Sequence, residues 1–303
     1  MPRLHVTPVF TSRIVAGESR LASLSLKCEA LQKTGSFKVR GAMNAIAHYE
    51  SVARERGVVT VSAGNHAQAV AWAASAAGVR STVVMPETAS RAKIAASQSY
   101  GASVILHGTG PQAFAKAREL ADEKGFLFLH PFDDPAVITG AASCGVEIVE
   151  QVPDMDVLVV PVGGGGLIAG VASAVKQMRP EVRVFGVEPT GADSMYQSMK
   201  LGRAIVLEGG PKTIADGLAS PHAGEVCFDI IRQIVDEIVL VSDEEIAAAM
   251  PLMLTRTKIL AEPAGAAATA ALLSGRIPAA VGRRVVAIVS GGNVDLEKLK
   301  SLI

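Results

Sequence analysis

Aromatic residues make up only 4% of the 303-residue chain, and there is a single tryptophan, Trp72. Cysteine is scarcer still. Cys28, Cys144 and Cys227 are odd in number and lie outside any CxxC spacing, which excludes a disulfide scaffold or a zinc ribbon and suits reduced thiols in a cytoplasm. Charge of either sign is not in excess: Lys plus Arg number 29 and Asp plus Glu number 29. No long-range field therefore draws this chain to nucleic acid or an anionic membrane. No apolar run is long enough to span a bilayer, and "MPRLHVTPVFTS" lacks the charged, apolar and small regions of a secretion signal. Repeats, charge blocks and Gly/Ser linkers are also missing. What these absences leave is a soluble cytoplasmic protein whose partner is a small molecule.

What is present is aliphatic. Apolar residues form 49% of the chain, dominated by Ala, Val, Ile and Leu, the composition of α/β proteins with buried parallel strands. From about residue 57 strand-like and helix-like segments alternate: "GVVTVS", "NHAQAVAWAASAAG", "STVVMP", "SRAKIAASQSYG", "SVILHG", "AFAKARELADEKG", "FLFLHP", "AVITGAASCGVEIVEQV", "MDVLVVPV", "LIAGVASAVKQM" and "VRVFGVEP". This rhythm predicts β-α-β units. "RLASLSLKCEAL" alternates like an earlier strand, and "RRVVAIVSGGN" reads as a last buried one. The length suits two domains: a large one of residues 1–49 and 136–303, and a small α/β one of residues 50–135 inserted in it.

One lysine is out of place. In "EALQKTGSFKVRGA", Val39, Ala42, Met43, Ile46 and Ala47 mark one face of a helix, and Thr34 and Ser36 are the expected caps around Gly35. Lys38 then sits at the helix start, where the macrodipole disfavours a cation.

Three strand-to-helix junctions suggest why. Gly163, Gly164, Gly165 and Gly166 follow "VLVVPV" and precede a helix, an arrangement that offers free N–H groups to an anion such as phosphate. Ser62, Ala63, Gly64, Asn65 and His66 form a second junction, and Ser290, Gly291, Gly292 and Asn293 end the last strand. Ligands of open α/β sheets lie beyond the carboxyl ends of strands, so the three loops predict one cleft holding a phosphate and a substrate carboxylate. A lysine in such a partly dry cleft can lose its proton and form a Schiff base with an aldehyde; a phosphate-bearing aldehyde cofactor is pyridoxal 5′-phosphate. The same glycine run also fits G-x-G-x-x-A at Gly164, Gly166 and Ala169, with Glu188 where a ribose-binding acid belongs. A nicotinamide-dependent oxidoreductase therefore competes.

Taken in order, "KTGSFKVRGA", "SAGNHAQ", "PVGGGGL", "IADG" and "SGGNVD" resemble the motifs of the threonine/serine dehydratases that use pyridoxal 5′-phosphate, a family also similar to serine racemase. The resemblance implies a fold type II, tryptophan synthase β-like architecture: two open, mainly parallel twisted sheets flanked by helices. It implies α,β-elimination, the dehydration and deamination of L-threonine or L-serine to a 2-oxo acid and ammonia, by a homodimer. Lys38 corresponds to the Schiff-base lysine and the base that takes the α-proton. Phe37 would pack on the cofactor ring, Asn65 would bond its 3′ oxygen and Ser290 would face its pyridine nitrogen. Gly163 to Gly166 with Leu167 would hold the phosphate, and Gly217 and Glu262 would line the cofactor side. Ser62, Ala63, Gly64, Asn65 and His66 would bind the substrate carboxylate.

Departures from the family pattern narrow these expectations. Ala63 stands where the racemases carry the serine that exchanges a proton on the opposite face, so racemisation should be weak or absent. The divalent-metal site of racemase-like members falls on Glu188, Ala192 and Ser194 here, and a hydroxyl in place of the last carboxylate removes a charge that a hard cation wants. The chain ends soon after "SGGN", where no regulatory amino-acid-binding domain is expected. A lyase or racemase for another β-hydroxy amino acid, such as 3-hydroxyaspartate or a hydroxyectoine-derived compound, also fits these motifs. So does a non-catalytic protein that keeps the fold and binds the ligand.

Overall fold

The computed structural model describes residues 4–303. An edge strand β1 (Val9–Thr11), a short helix α1 (Arg13–Glu18) and β2 (Ser23–Cys28) open the chain, followed by α2 (Lys38–His48) and α3 (Glu50–Arg56). Next come β3 (Val58–Val61), α4 (Asn65–Ala77), β4 (Ser81–Met85), α5 (Arg91–Ser99), β5 (Ser103–Leu106), α6 (Gly110–Lys124) and β6 (Leu127–Phe128). Then α7 (Pro135–Gln151), β7 (Val157–Pro161), α8 (Gly166–Met178), β8 (Arg183–Pro189) and α9 (Ser194–Leu201) continue the alternation. The remainder holds α10 (Glu225–Ile234), β9 (Glu237–Val241), α11 (Asp243–Leu252), α12 (Pro263–Leu273), β10 (Arg284–Val289) and α13 (Leu296–Leu302).

The strands form two sheets. One has the order β1-β2-β10-β7-β8-β9, the other β5-β4-β3-β6. Every pairing is parallel except that of β1 with β2. The fold is α/β with two mainly parallel sheets, as the composition and rhythm predict. In the larger sheet β7, β8 and β10 are buried almost throughout, because helices cover both faces. α12 lies within the core on one side, buried from Pro263 to Leu272. Its alanines carry little side chain, so it sits close against the sheet. α8 and α7 cover the other side with Ile168, Val171, Cys144 and Ile148.

Three details depart from the sequence reading. Neither Thr34 nor Ser36 caps α2: both hydroxyls are buried without a partner, and Phe37 is the residue before the helix. The chain there is tied to β10 instead, by Phe37 N–H to the Ser290 carbonyl at 3.1 Å. Ala47 is exposed, and the buried face of α2 runs through Val39, Ala42, Ala45 and Ile46, with Arg40 and Gly41 against α7. "FLFLHP" shortens to a two-residue strand that pairs with β3 only at Leu127 and Phe128.

Candidate active site

A cleft of about 750 Å³ lies between the carboxyl ends of the two sets of strands. It is lined by all three predicted junctions: Ser62 to His66, Gly163 to Leu167, and Ser290. Phe37, Lys38, Gly217 and Glu262 line it as well. Glu188, Ala192 and Ser194 do not.

Lys38 is the first residue of α2, half-buried at the cleft wall. Its Nζ donates to the Pro131 carbonyl at 2.8 Å and lies 5.1 Å from the centre of the Phe37 ring. Removal from water pushes its pKa down from 10.5 to about 8, against the opposing pull of Cys227 and Glu262. About a tenth of such amines are neutral at pH 7. A lysine at a helix start, odd as a surface residue, becomes intelligible as an amine kept ready to react.

The glycine loop turns into α8 with Gly165 at φ +103°, a conformation open to glycine. A β-carbon on Gly164 would collide with the Phe132 ring, and one on Gly166 would lie 2.8 Å from the Phe132 carbonyl. Among the described residues, no protein acceptor takes the N–H of Gly163, Gly164, Gly165, Gly166 or Leu167. Five free donors at a helix start form a cradle that fits a phosphate.

Ser290 is buried, and its hydroxyl donates to the Ala264 carbonyl at 3.3 Å. Ser62 accepts from Gly64 N–H at 3.0 Å, so its own proton stays available to the cleft. His66 is buried; loss of water holds it neutral, with its pKa lowered to about 3, and its Nδ1 finds no partner in the protein. Asn65 donates to Glu262 at 2.6 Å and accepts from Asn293 at 2.8 Å. Burial raises Glu262 to about 7, which the bond from Asn65 opposes. Gly217 lets its turn approach the start of α12, since a β-carbon there would lie 2.9 Å from that of Ala264.

Several cleft residues escaped the sequence reading. Pro86, Ser90 and Lys93 enter from the β4–α5 loop and the start of α5, and Phe132 enters from the segment after β6. None carries a local pattern that marks it. Asn293, the fourth residue of the "SGGN" junction, lines the cleft as that junction predicts.

Glu188 has a different occupation. Its carboxylate accepts from Met195 N–H at 3.0 Å and Tyr196 N–H at 2.7 Å, closing the start of α9. It is fully buried, and that burial raises it to about 8. A ribose cannot reach it, which removes the acid that a dinucleotide site needs. For a divalent cation the set offers one committed carboxyl, a serine hydroxyl and a carbonyl, a donor set that does not suit a hard ion. Among the described residues no three His, Cys, Asp or Glu side chains gather as a metal site.

Residues 2–291 match the family model described as pyridoxal-phosphate dependent enzyme. The chain is 46% identical over 293 residues to the L-threonine ammonia-lyase of Thermotoga maritima, covering 96% of this chain and 71% of that one. It is 42% identical over 308 residues to a catabolic L-threonine dehydratase of Staphylococcus aureus strain N315, covering 100% of this chain and 88% of the relative. Among solved structures, maize serine racemase superposes with a TM-score of 0.93 at 37% identity, covering 99% of this chain and 92% of that one.

Proposed function

The chain belongs to the family of pyridoxal-phosphate dependent enzymes, and from that premise we propose an ammonia-lyase that converts L-threonine, and L-serine, to a 2-oxo acid and ammonia. The observation that carries this reading is Lys38, placed in one cleft with a cradle of free N–H donors. Near-full-length likeness to threonine ammonia-lyases and dehydratases supports the substrate.

The cradle of Gly163 to Leu167 would hold the phosphate of pyridoxal 5′-phosphate, Phe37 and Ser290 would bound its ring, and Asn65 would reach its 3′ oxygen. Bound there, the cofactor supplies an electron sink for the pair left when the α-proton departs. The neutral amine of Lys38 takes that proton, and the Pro131 carbonyl holds its nitrogen in place. Ser62 and the free N–H groups at the start of α4 orient the substrate carboxylate. Water leaves from the α and β carbons and re-enters on hydrolysis, so L-threonine yields 2-oxobutanoate and L-serine pyruvate. Ala63, at the position of the racemases' second-face serine, has no exchangeable proton, so Lys38 works one face of the substrate; elimination proceeds and racemisation is weak or absent. Glu188 serves as the cap of α9, and no step passes through a metal.

We take the working form to be a cytoplasmic homodimer. The three cysteines are free and buried, and no helix among the described residues is long and apolar enough to cross a membrane. Val6, Phe10 and Ile14 stand exposed beside the free edge of the larger sheet, a surface that a second copy would cover; light scattering measures it. The residues 50–135 that carry the smaller sheet would form the small domain.

The test is direct. Purified protein given cofactor and L-threonine should release 2-oxobutanoate and ammonia in equal amounts. Absence of product from both threonine and serine overturns the reading.

A further inference from the structure

Three of the sequence motifs and Glu262 meet in one directed chain of hydrogen bonds. Its origin is the backbone carbonyl of Thr34, which can only accept. Asn293 Nδ2 donates to it at 2.7 Å. The same nitrogen donates to Asn65 Oδ1 at 2.8 Å, and Asn65 Nδ2 donates to Glu262 Oε1 at 2.6 Å. Each step dictates the next: a carbonyl forces the amide nitrogen of Asn293 inward, which forces the amide oxygen of Asn65 toward it, which turns the nitrogen of Asn65 toward Glu262. An amide nitrogen has two hydrogens. Glu262 takes one, and the other is left for the cleft that Asn65 lines.

The surrounding backbone is built around this chain. Thr34 holds φ +61°, a left-handed conformation that is uncommon for a β-branched residue, and its carbonyl is the one Asn293 meets. Gly35 follows at φ +72°, and a β-carbon there would collide with Asn293. At the far end a β-carbon on Gly291 would collide with Glu262 Oε1 and lie 3.2 Å from Asn65 Nδ2.

We infer that Glu262 and Asn293 are positioning residues that fix the sense of the Asn65 amide, so that it presents a donor and not an acceptor to the ring oxygen of the cofactor. The inference rests on the cofactor reading above. Without the two clamps, rotation about the last torsion of Asn65 would exchange its nitrogen and oxygen. A presented oxygen would repel an anionic ring oxygen, whereas a presented N–H stabilises it.

Cofactor-free protein is reconstituted with pyridoxal 5′-phosphate, and absorption spectra and equilibrium cofactor affinity are recorded. The variants are Asn293→Asp, which reverses the first donor; Glu262→Leu, which removes the last acceptor; and Glu262→Gln, which keeps an acceptor. For Asn293→Asp and Glu262→Leu we expect the visible band to lose intensity to a near-ultraviolet form with a neutral ring hydroxyl, and cofactor affinity to fall about tenfold, the loss of one hydrogen bond to a charged partner. Glu262→Gln should keep the visible band. A purely structural role would lower melting temperature while leaving the band unchanged in all three, and that outcome overturns the inference. Asn293 is exposed, so Asn293→Asp tests it even where a change at buried Glu262 prevents folding. Wild-type protein that takes up no cofactor overturns the parent reading, and this inference with it.

Discussion

Lys38 Nζ and the Pro131 carbonyl lie 2.8 Å apart, tying the first residue of α2 to the segment that leaves β6. Proline supplies the acceptor, and the amine keeps one hydrogen bond whether charged or neutral. Burial, not this bond, sets its pKa near 8. The rate at which cofactor-free protein takes up pyridoxal 5′-phosphate should therefore rise with pH through about 8 and level off above it. Lys38→Ala should lower kcat by about 10⁴-fold or more with the circular dichroism spectrum unchanged. A variant within tenfold of wild type would remove Lys38 from the chemistry.

Two residues further along α2, Arg40 is buried between two carboxylates. Its guanidinium reaches Glu29 at 2.7 Å and Glu147 at 2.7 Å, and Lys27 joins Glu147 at 2.6 Å. Four charges balance with nearly no water around Lys27, Glu29 and Arg40. Arg40→Met leaves Glu29 buried without a counter-charge, at a cost of about 3–5 kcal/mol. Urea unfolding measures it, and Arg40→Met combined with Glu29→Gln should recover a large part of the loss.

The cap and the clamp mark how far the sequence could be read. Alternation of strands and helices, the glycine loop and the odd position of Lys38 are local patterns, and each survives in the structure. The start of α2 does not follow its local pattern, because the residue after β10, some 250 residues later in the chain, holds Phe37 N–H with its carbonyl and so sets how the chain enters the helix. Asn293 meets Asn65 across 228 positions, a distance no spacing rule covers. β9 and α10 were hidden for a different reason. Glu237–Val241 is short and follows directly on an amphipathic helix, with no glycine turn between them to mark the boundary.

Glycine has opposite meanings at two helical positions. At Gly170, on α8, a β-carbon would lie 2.8 Å from Ala142 N and collide with the Ile138 carbonyl of α7. Gly170→Ala should destabilise by about 1–3 kcal/mol through overpacking. At Gly17, on α1, nothing lies within 4 Å and φ is not positive. Gly17→Ala should stabilise by about 0.4–1 kcal/mol, mainly by restricting the unfolded chain. Thermal melts of the pair separate contact from chain entropy.

With Glu188 committed to the N–H groups of Met195 and Tyr196, divalent cations should be dispensable. Dialysis against a chelator is expected to leave kcat and melting temperature within error, and added magnesium or calcium to restore nothing. A chelator-induced loss reversed by one of these ions would show that Glu188 and Ser194 bind metal after all.

Glu262 should leave its own mark on stability against pH. Its carboxyl titrates at 4.5 when exposed and at about 7 in the fold, because burial disfavours the charge. Between these values the folded protein holds a proton that the unfolded chain has released, so stability contributed by Glu262 increases as pH falls from about 7 to 4.5 and is lost as pH rises through that window. Gln at this position keeps an acceptor for Asn65 and cannot ionise. The stability of wild type minus that of Glu262→Gln should thus be least favourable above pH 7 and improve by about 3 kcal/mol by pH 4.5. The difference between two proteins cancels the groups that Glu262 does not perturb, including His66 and His130, whose lowered pKa values act in the opposite direction; Lys38, which Glu262 does perturb, titrates above this window. A difference independent of pH would mean that Glu262 ionises in the cleft as freely as in water.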